Sequence, residues 1–224
     1  MTHPIKAVLW DMDGTLADSE MLHLRTLLAA LEHHGITAGE ELHPLIFGKT
    51  GREVYAICRD RFGIETDYST WAKYRAHRYL GEAPDIQARP GALEVYRMVQ
   101  ARGMPQAIVS NASRMLLEAN LRALSLQEPQ LVSISANDVR RGKPDPEAYE
   151  RAAYLLGIAA HEAIVVEDSP TGASAAIAAG MRVLGWPAEP ASEDAARRFH
   201  PAVQTVSSAR ELAVALGPNL ASPA

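Results

Sequence analysis

The sequence predicts an α/β fold, a parallel sheet with helices on both faces and a helical segment inserted near its start. Three observations predict it. From about residue 89 onward, short apolar runs alternate with helix-length amphipathic stretches, and such alternation implies right-handed crossovers between parallel strands. A similar apolar run at 5–10 stands alone near the amino terminus and stops abruptly at Asp11-Met12-Asp13-Gly14. Between the two, residues 17–86 are helical in character, with no strand-like run.

Each element has its own signal. The run at 5–10 reads as a buried parallel strand followed by a turn. Leu24, Leu27, Leu28 and Leu31 then recur at helical spacing, with Ser19 as the expected N-cap and Gly35 as the terminator. After Arg89-Pro90-Gly91 come a helix over 92–101, a strand over 106–110, a helix over 113–124 and a strand over 131–135. The next helix opens at Asp145-Pro146 and closes at Gly157, matching the preference for proline at a helix start and glycine just past its end. A strand over 163–166, an alanine-rich helix over 172–179 and a strand over 182–186 complete the alternation. The expected division is a core of residues 1–16 and 87–224 with 17–86 inserted. The last four residues, 221–224, are expected to fray.

Composition narrows the function. A chain of 224 residues with 47% hydrophobic content can bury a substantial core and a smaller companion unit. Its 22 Lys+Arg against 27 Asp+Glu give a net charge of -5. A general nucleic-acid binder usually carries the opposite sign, whereas a small anionic substrate responds to local charge. The single cysteine, Cys58, excludes an intrachain disulfide and a Cys-based zinc cluster, and reads as a buried, inert thiol. No apolar run approaches the roughly 20 residues of a membrane span, and the start lacks a signal-like stretch. A cytoplasmic protein with no membrane partner is expected.

In open parallel sheets, ligands bind outside the carboxyl ends of the strands. The first strand ends in Asp11-Met12-Asp13-Gly14-Thr15 and the second in Ser110-Asn111. Lys143-Pro144 follows the third, and Glu167-Asp168-Ser169 ends the fourth. Asp11, Glu167 and Asp168 would form an oxygen-rich anionic cluster, costly unless a hard cation fills it, and such a donor set suits Mg²⁺. A phosphate dianion arriving there would be held by the metal, Lys143, the Ser110 hydroxyl and loop amides. Taken singly, Asp13-Gly14 is an ordinary turn, Ser110-Asn111 a helix cap and Lys143 a solvated charge. Their joint placement at strand ends is what points to chemistry.

Residues 11–20, DMDGTLADSE, resemble the first motif of the haloacid dehalogenase (HAD) superfamily. Ser110-Asn111, Lys143-Pro144 and Glu167-Asp168-Ser169-Pro170-Thr171-Gly172 resemble its second, third and fourth motifs, in order. The resemblance implies a HAD-like Rossmannoid core with an inserted helical cap, as in the subgroup of beta-phosphoglucomutase and sugar-phosphate phosphatases. It implies Asp11 as a nucleophile forming an aspartyl-phosphate, which splits one difficult displacement into two easier ones. Asp13 would be the general acid and base, with a raised pKa and its backbone carbonyl on Mg²⁺. Asp168 would ligate the metal directly, and Glu167 directly or through water. Ser110 would hydrogen-bond the phosphate, and Lys143 would bridge it to Asp11.

The inserted segment carries weaker signals. Gly48-Lys49-Thr50 mimics the end of a P-loop, but the glycine required five residues earlier is His43. Lys49 and Arg52 stand where this subgroup contacts its substrate, although both also read as surface charges. Asn111 is a further expected substrate contact. His23 falls at a hinge-side position, where substrate contact and packing are equally open. Only Arg52 matches the cap-loop pattern of beta-phosphoglucomutase, which weighs against a mutase. The expected activity is Mg²⁺-dependent hydrolysis of a small phosphorylated metabolite, a sugar or sugar-acid phosphate, by a monomer or weak homo-oligomer. The alternatives are a phosphosugar mutase on the same chemistry and a non-catalytic regulatory binding protein.

Overall fold

A computed structural model describes residues 4–187 and 199–217; the tail expected to fray lies outside them. Its sheet is built from β1 (Ala7–Trp10), β2 (Gln106–Val109), β3 (Val132–Ile134), β4 (Ala163–Glu167), β5 (Arg182–Gly185) and β6 (Gln204–Thr205). The order is β3-β2-β1-β4-β5-β6, with every pairing parallel. Side-chain alternation divides the core in two. Val8 and Trp10 of β1, with Ile164 and Val166 of β4, face one apolar cluster. Ala7 and Leu9, with Ala163 and Val165, face the other. Burial on both sides is why these strands read as continuous apolar runs.

Residues 17–86 carry α1 (Glu20–His33), α2 (His43–Ile46), α3 (Gly51–Phe62) and α4 (Tyr68–Glu82). They enclose a separate apolar cluster that includes Leu27, Leu31, Val54, Cys58 and Trp71. Cys58 is fully buried, and burial pushes its thiol pKa up, as an inert residue requires. The P-loop look-alike is a helix start. The Thr50 hydroxyl accepts from the Glu53 N–H, and the Glu53 carboxylate accepts from the Thr50 N–H at 2.7 Å, a capping box that opens α3.

α5 (Ala92–Ala101), α6 (Arg114–Ala123) and the helix Ala209–Leu216 cover one face of the sheet. α7 (Glu147–Leu156) and α8 (Pro170–Ala178) cover the other. α8 begins two residues before the expected 172 because the Ser169 hydroxyl caps it, accepting from Gly172 N–H at 3.1 Å. The chain runs outward from β1 through β2 to β3, then returns to β4 and runs the other way. β1 and β4 therefore flank the switch point, where a crevice opens at the strand ends. No helix among the described residues is long and apolar enough to cross a membrane.

Candidate active site

The switch point gathers the residues that the sequence placed at strand ends. Asp11 follows β1, its N–H donating to Val166 O of β4 at 3.0 Å. Asp168 follows β4. Asp11, Glu167 and Asp168 are all buried and present carboxylate oxygens within 4.8 Å of one another. Gly14 lies so close that a Cβ there would collide with the Asp168 carboxylate, and its φ of +83° already favours glycine. A Cβ on Gly172 would likewise strike Glu167.

Lys143 ties this cluster together. Its ammonium donates to Asp11 Oδ1 at 2.6 Å, to Glu167 Oε1 at 2.7 Å and to Val109 O at 2.7 Å. Burial opposes the ammonium, but the two carboxylates outweigh it and raise its pKa. Asp11 is itself pushed well up by burial; Lys143 works against this, while Glu167 and Asp13 add to it. Asp168 is raised by burial and by the charges of Asp11 and Glu167. Among the described residues its buried Oδ2 has no hydrogen-bond partner. An orphaned carboxylate oxygen inside an anionic cluster is what a hard cation would satisfy, so the residues fit Mg²⁺. Glu167 is differently placed. Its Oε1 also accepts from the Tyr149 hydroxyl at 2.7 Å, and its Oε2 accepts from the Ser169 N–H and hydroxyl.

Asp13 departs from expectation. Its Oδ1 accepts from Ser19 Oγ at 2.7 Å, His23 Nε2 at 3.0 Å and Asn120 Nδ2 at 2.9 Å, and its Oδ2 from Ser110 Oγ at 2.9 Å. Burial would raise its pKa, but His23 and the Ser19 and Ser110 hydroxyls bring it down to about 2. The raised value expected from neighbouring negative charge is thus reversed by donors from several elements. Ser19 occupies the N-cap position of α1 without capping it, because its hydroxyl is spent on Asp13.

Above the carboxylates lies a cavity of about 500 Å³, roofed by residues 46–54 and by α4. Lys49 and Arg52 line it, the Arg52 guanidinium resting 4.4 Å from the Tyr68 ring centre. Asn111 lines it as well but spends its amide on the backbone, donating to Gly48 O and Lys143 O and accepting from Lys143 N–H at 2.8 Å. It thereby straps the Gly48 loop to the Lys143 loop. Arg75 is a lining residue that the sequence did not single out. It donates to His23 O at 3.3 Å, lies 4.9 Å from the Trp71 ring centre, and has a buried Nε without a partner among the described residues. Burial lowers its pKa to about 10.

Arg89 was also missed. Its guanidinium donates to Gly14 O at 3.0 Å, to Trp186 O at 2.6 Å and to Pro187 O, and stacks 3.7 Å from the Trp186 ring centre. It pins the Asp13-Gly14 turn to the end of β5. Arg89→Met should cost about 2–4 kcal/mol, since hydrogen bonds to charged groups contribute about 1.5–3 each, and lower Tm by roughly 5–15 °C. Arg89→Lys should recover only part, because an ammonium cannot fork across three carbonyls. Thermal unfolding measures both; an unchanged Tm for the Met variant would mean that these carbonyls find other partners.

The family model described as Haloacid dehalogenase-like hydrolase matches residues 8–186. Hexitol phosphatase A of Escherichia coli (strain K12) is 35% identical over 180 residues, 80% of this chain and 82% of that protein. The 6-phosphogluconate phosphatase of the same organism is 30% identical over 217 residues, 93% of each chain. Among solved structures, CbbY from Rhodobacter sphaeroides in complex with phosphate superimposes with a TM-score of 0.82 at 25% identity, covering 93% of this chain and 96% of that one.

Proposed function

The chain belongs to the haloacid dehalogenase-like hydrolase family, and from that premise we propose that it hydrolyses a phosphate monoester of a small sugar or sugar acid. One observation carries the reading. Asp11, Lys143 and an Asp168 oxygen without a partner among the described residues meet at the sheet's switch point, beneath a cavity of sugar-phosphate size. The relatives support the substrate class, since the two named above are phosphatases of a hexitol phosphate and of 6-phosphogluconate.

Asp11 attacks phosphorus as the ester P–O bond breaks, and Asp13 delivers a proton to the departing alkoxide. The product is an aspartyl-phosphate. Asp13 then takes a proton from water, which attacks phosphorus, frees Asp11 and releases inorganic phosphate. Lys143 holds the Asp11 carboxylate in place and offsets the charge of the arriving phosphate. Asp168, Asp11 and the Asp13 carbonyl would hold Mg²⁺, which when bound supplies charge neutralisation at the phosphate. Both Glu167 oxygens already accept hydrogen bonds, so Glu167 serves Lys143 and would add its charge to the metal site through water. Residues 17–86 act as the cap; Lys49, Arg52 and Arg75 face the non-reacting end of the substrate, and His23 stands beside Asp13 at its reacting end. The enzyme works in the cytoplasm on a diffusible metabolite.

Phosphate release measured over phosphorylated hexitols, hexoses and sugar acids, with Mg²⁺ present, tests this reading. Turnover without phosphate release would favour a mutase, and binding without turnover a regulatory protein. Activity should disappear with EDTA, return with Mg²⁺ and be inhibited by Ca²⁺, whose larger shell of six to eight oxygens distorts in-line geometry. Full activity in exhaustively demetallated protein would remove the metal from the mechanism.

A further inference from the structure

Asn120 does not fit its helix. α6 turns Leu117 and Leu121 into the core, and Asn120 lies with them at 0% exposure. An amide buried without partners is destabilising, so a side chain this deep must be satisfied by something specific. Its Nδ2 donates to Asp13 Oδ1 at 2.9 Å, and its Oδ1 accepts from the Tyr79 hydroxyl at 2.9 Å. Tyr79 belongs to α4, in the inserted segment, and is itself 1% exposed. Burial raises its pKa well above the usual phenol range, so it remains a proton donor. The amide can satisfy both neighbours in only one orientation, because the reverse flip would set its oxygen against the carboxylate. The Tyr79 ring also packs 4.7 Å, centre to centre, from that of His23, which reaches the same Asp13 oxygen directly. The inserted segment thus meets the Asp13 carboxyl three times, directly through Ser19 and His23 and indirectly through Tyr79 and Asn120.

We propose that Asn120 is a positioning residue for Asp13, and that Tyr79 orients it, so that seating of the inserted segment sets the direction in which the carboxyl points. The proposal rests on the acid and base role of Asp13. It assigns function to Asn120, which does not line the cavity, and to Tyr79, which lines it but gives its hydroxyl to Asn120. A misdirected acid slows proton transfer to a poor leaving group and leaves ground-state binding alone, because the cavity and the phosphate contacts are untouched.

The test uses Asn120→Leu, similar in volume but without hydrogen-bonding groups, and Tyr79→Phe, which removes only the far hydroxyl. Single-turnover rates are measured on a sugar phosphate and on p-nitrophenyl phosphate, together with KM, the half-saturating Mg²⁺ concentration and Tm. Asn120→Leu should slow the sugar phosphate by about 10- to 100-fold, with KM and the Mg²⁺ requirement unchanged and the activated ester affected much less. Tyr79→Phe should show the same selectivity at smaller size, and the double variant should be no slower than Asn120→Leu alone. Equal loss on both esters, no loss on either, or additive losses would overturn the relay. If Asn120→Leu fails to fold, Tyr79→Phe decides the matter by the same ratio of esters. Asp13→Asn run in parallel separates the two ideas: if it shows no leaving-group selectivity, the acid role itself fails, whereas selectivity there without it in Asn120→Leu and Tyr79→Phe removes only the relay.

Discussion

Asp11→Asn should abolish phosphate release, lowering turnover by at least about 10³-fold, the scale seen when a covalent nucleophile is removed. The amide keeps the shape of the carboxylate but is a poor nucleophile toward phosphorus. The fold should survive. Lys143 retains its bonds to Glu167 Oε1 and Val109 O, and the Asp11 pKa is raised on balance, so an uncharged group at this position is tolerated in the metal-free protein. Circular dichroism and thermal unfolding would confirm that the variant is native, and mass spectrometry would exclude deamidation back to Asp. Retention of a tenth of wild-type activity in such a preparation would refute the covalent route.

How far the sequence reached depends on what a residue's neighbours could reveal. The parallel sheet was legible because two-sided burial leaves unbroken apolar runs in β1 and β4. The order of those strands along the sheet was not, since nothing local distinguishes the two sides of β1. β6 escaped because Gln204 and Thr205 are exposed and carry no alternation. The gathering of Asp11, Glu167 and Asp168 was legible because they stand at strand ends, where parallel sheets open a crevice. Arg89, Arg75 and Asn120 were not, because each looks like an ordinary residue of its own segment and acts on a partner far away in sequence. Asn120 did leave a trace, a polar residue on the face that carries Leu117 and Leu121. The direction of the Asp13 pKa was misjudged because its nearest neighbours in sequence are acidic, whereas the groups that lower it, His23 first and then Ser19 and Ser110, come to it only in the fold.

Asp13→Asn should separate the two roles assigned to that carboxyl. The substitution keeps the backbone carbonyl proposed to face the metal, so the half-saturating Mg²⁺ concentration should hardly change. What disappears is the proton donor of the first step and the base of the second, groups that contribute about 10² to 10⁴ in rate. Four donors hold the wild-type carboxyl ionised in this structure. That form suits the second step, and the first requires the carboxyl to leave those donors and take up a proton. A sugar alkoxide needs that proton in order to depart, whereas p-nitrophenolate departs without it. The first step in Asp13→Asn should therefore be slowed strongly with a sugar phosphate and much less with p-nitrophenyl phosphate. The second step should be slow for both, so phosphorylated Asp11 should accumulate with the activated ester. Rapid quench followed by mass spectrometry reads that accumulation directly. Equal loss on both esters with no trapped phospho-enzyme would make Asp13 a structural or metal-site residue, and the proton would then have to come from elsewhere in the cavity.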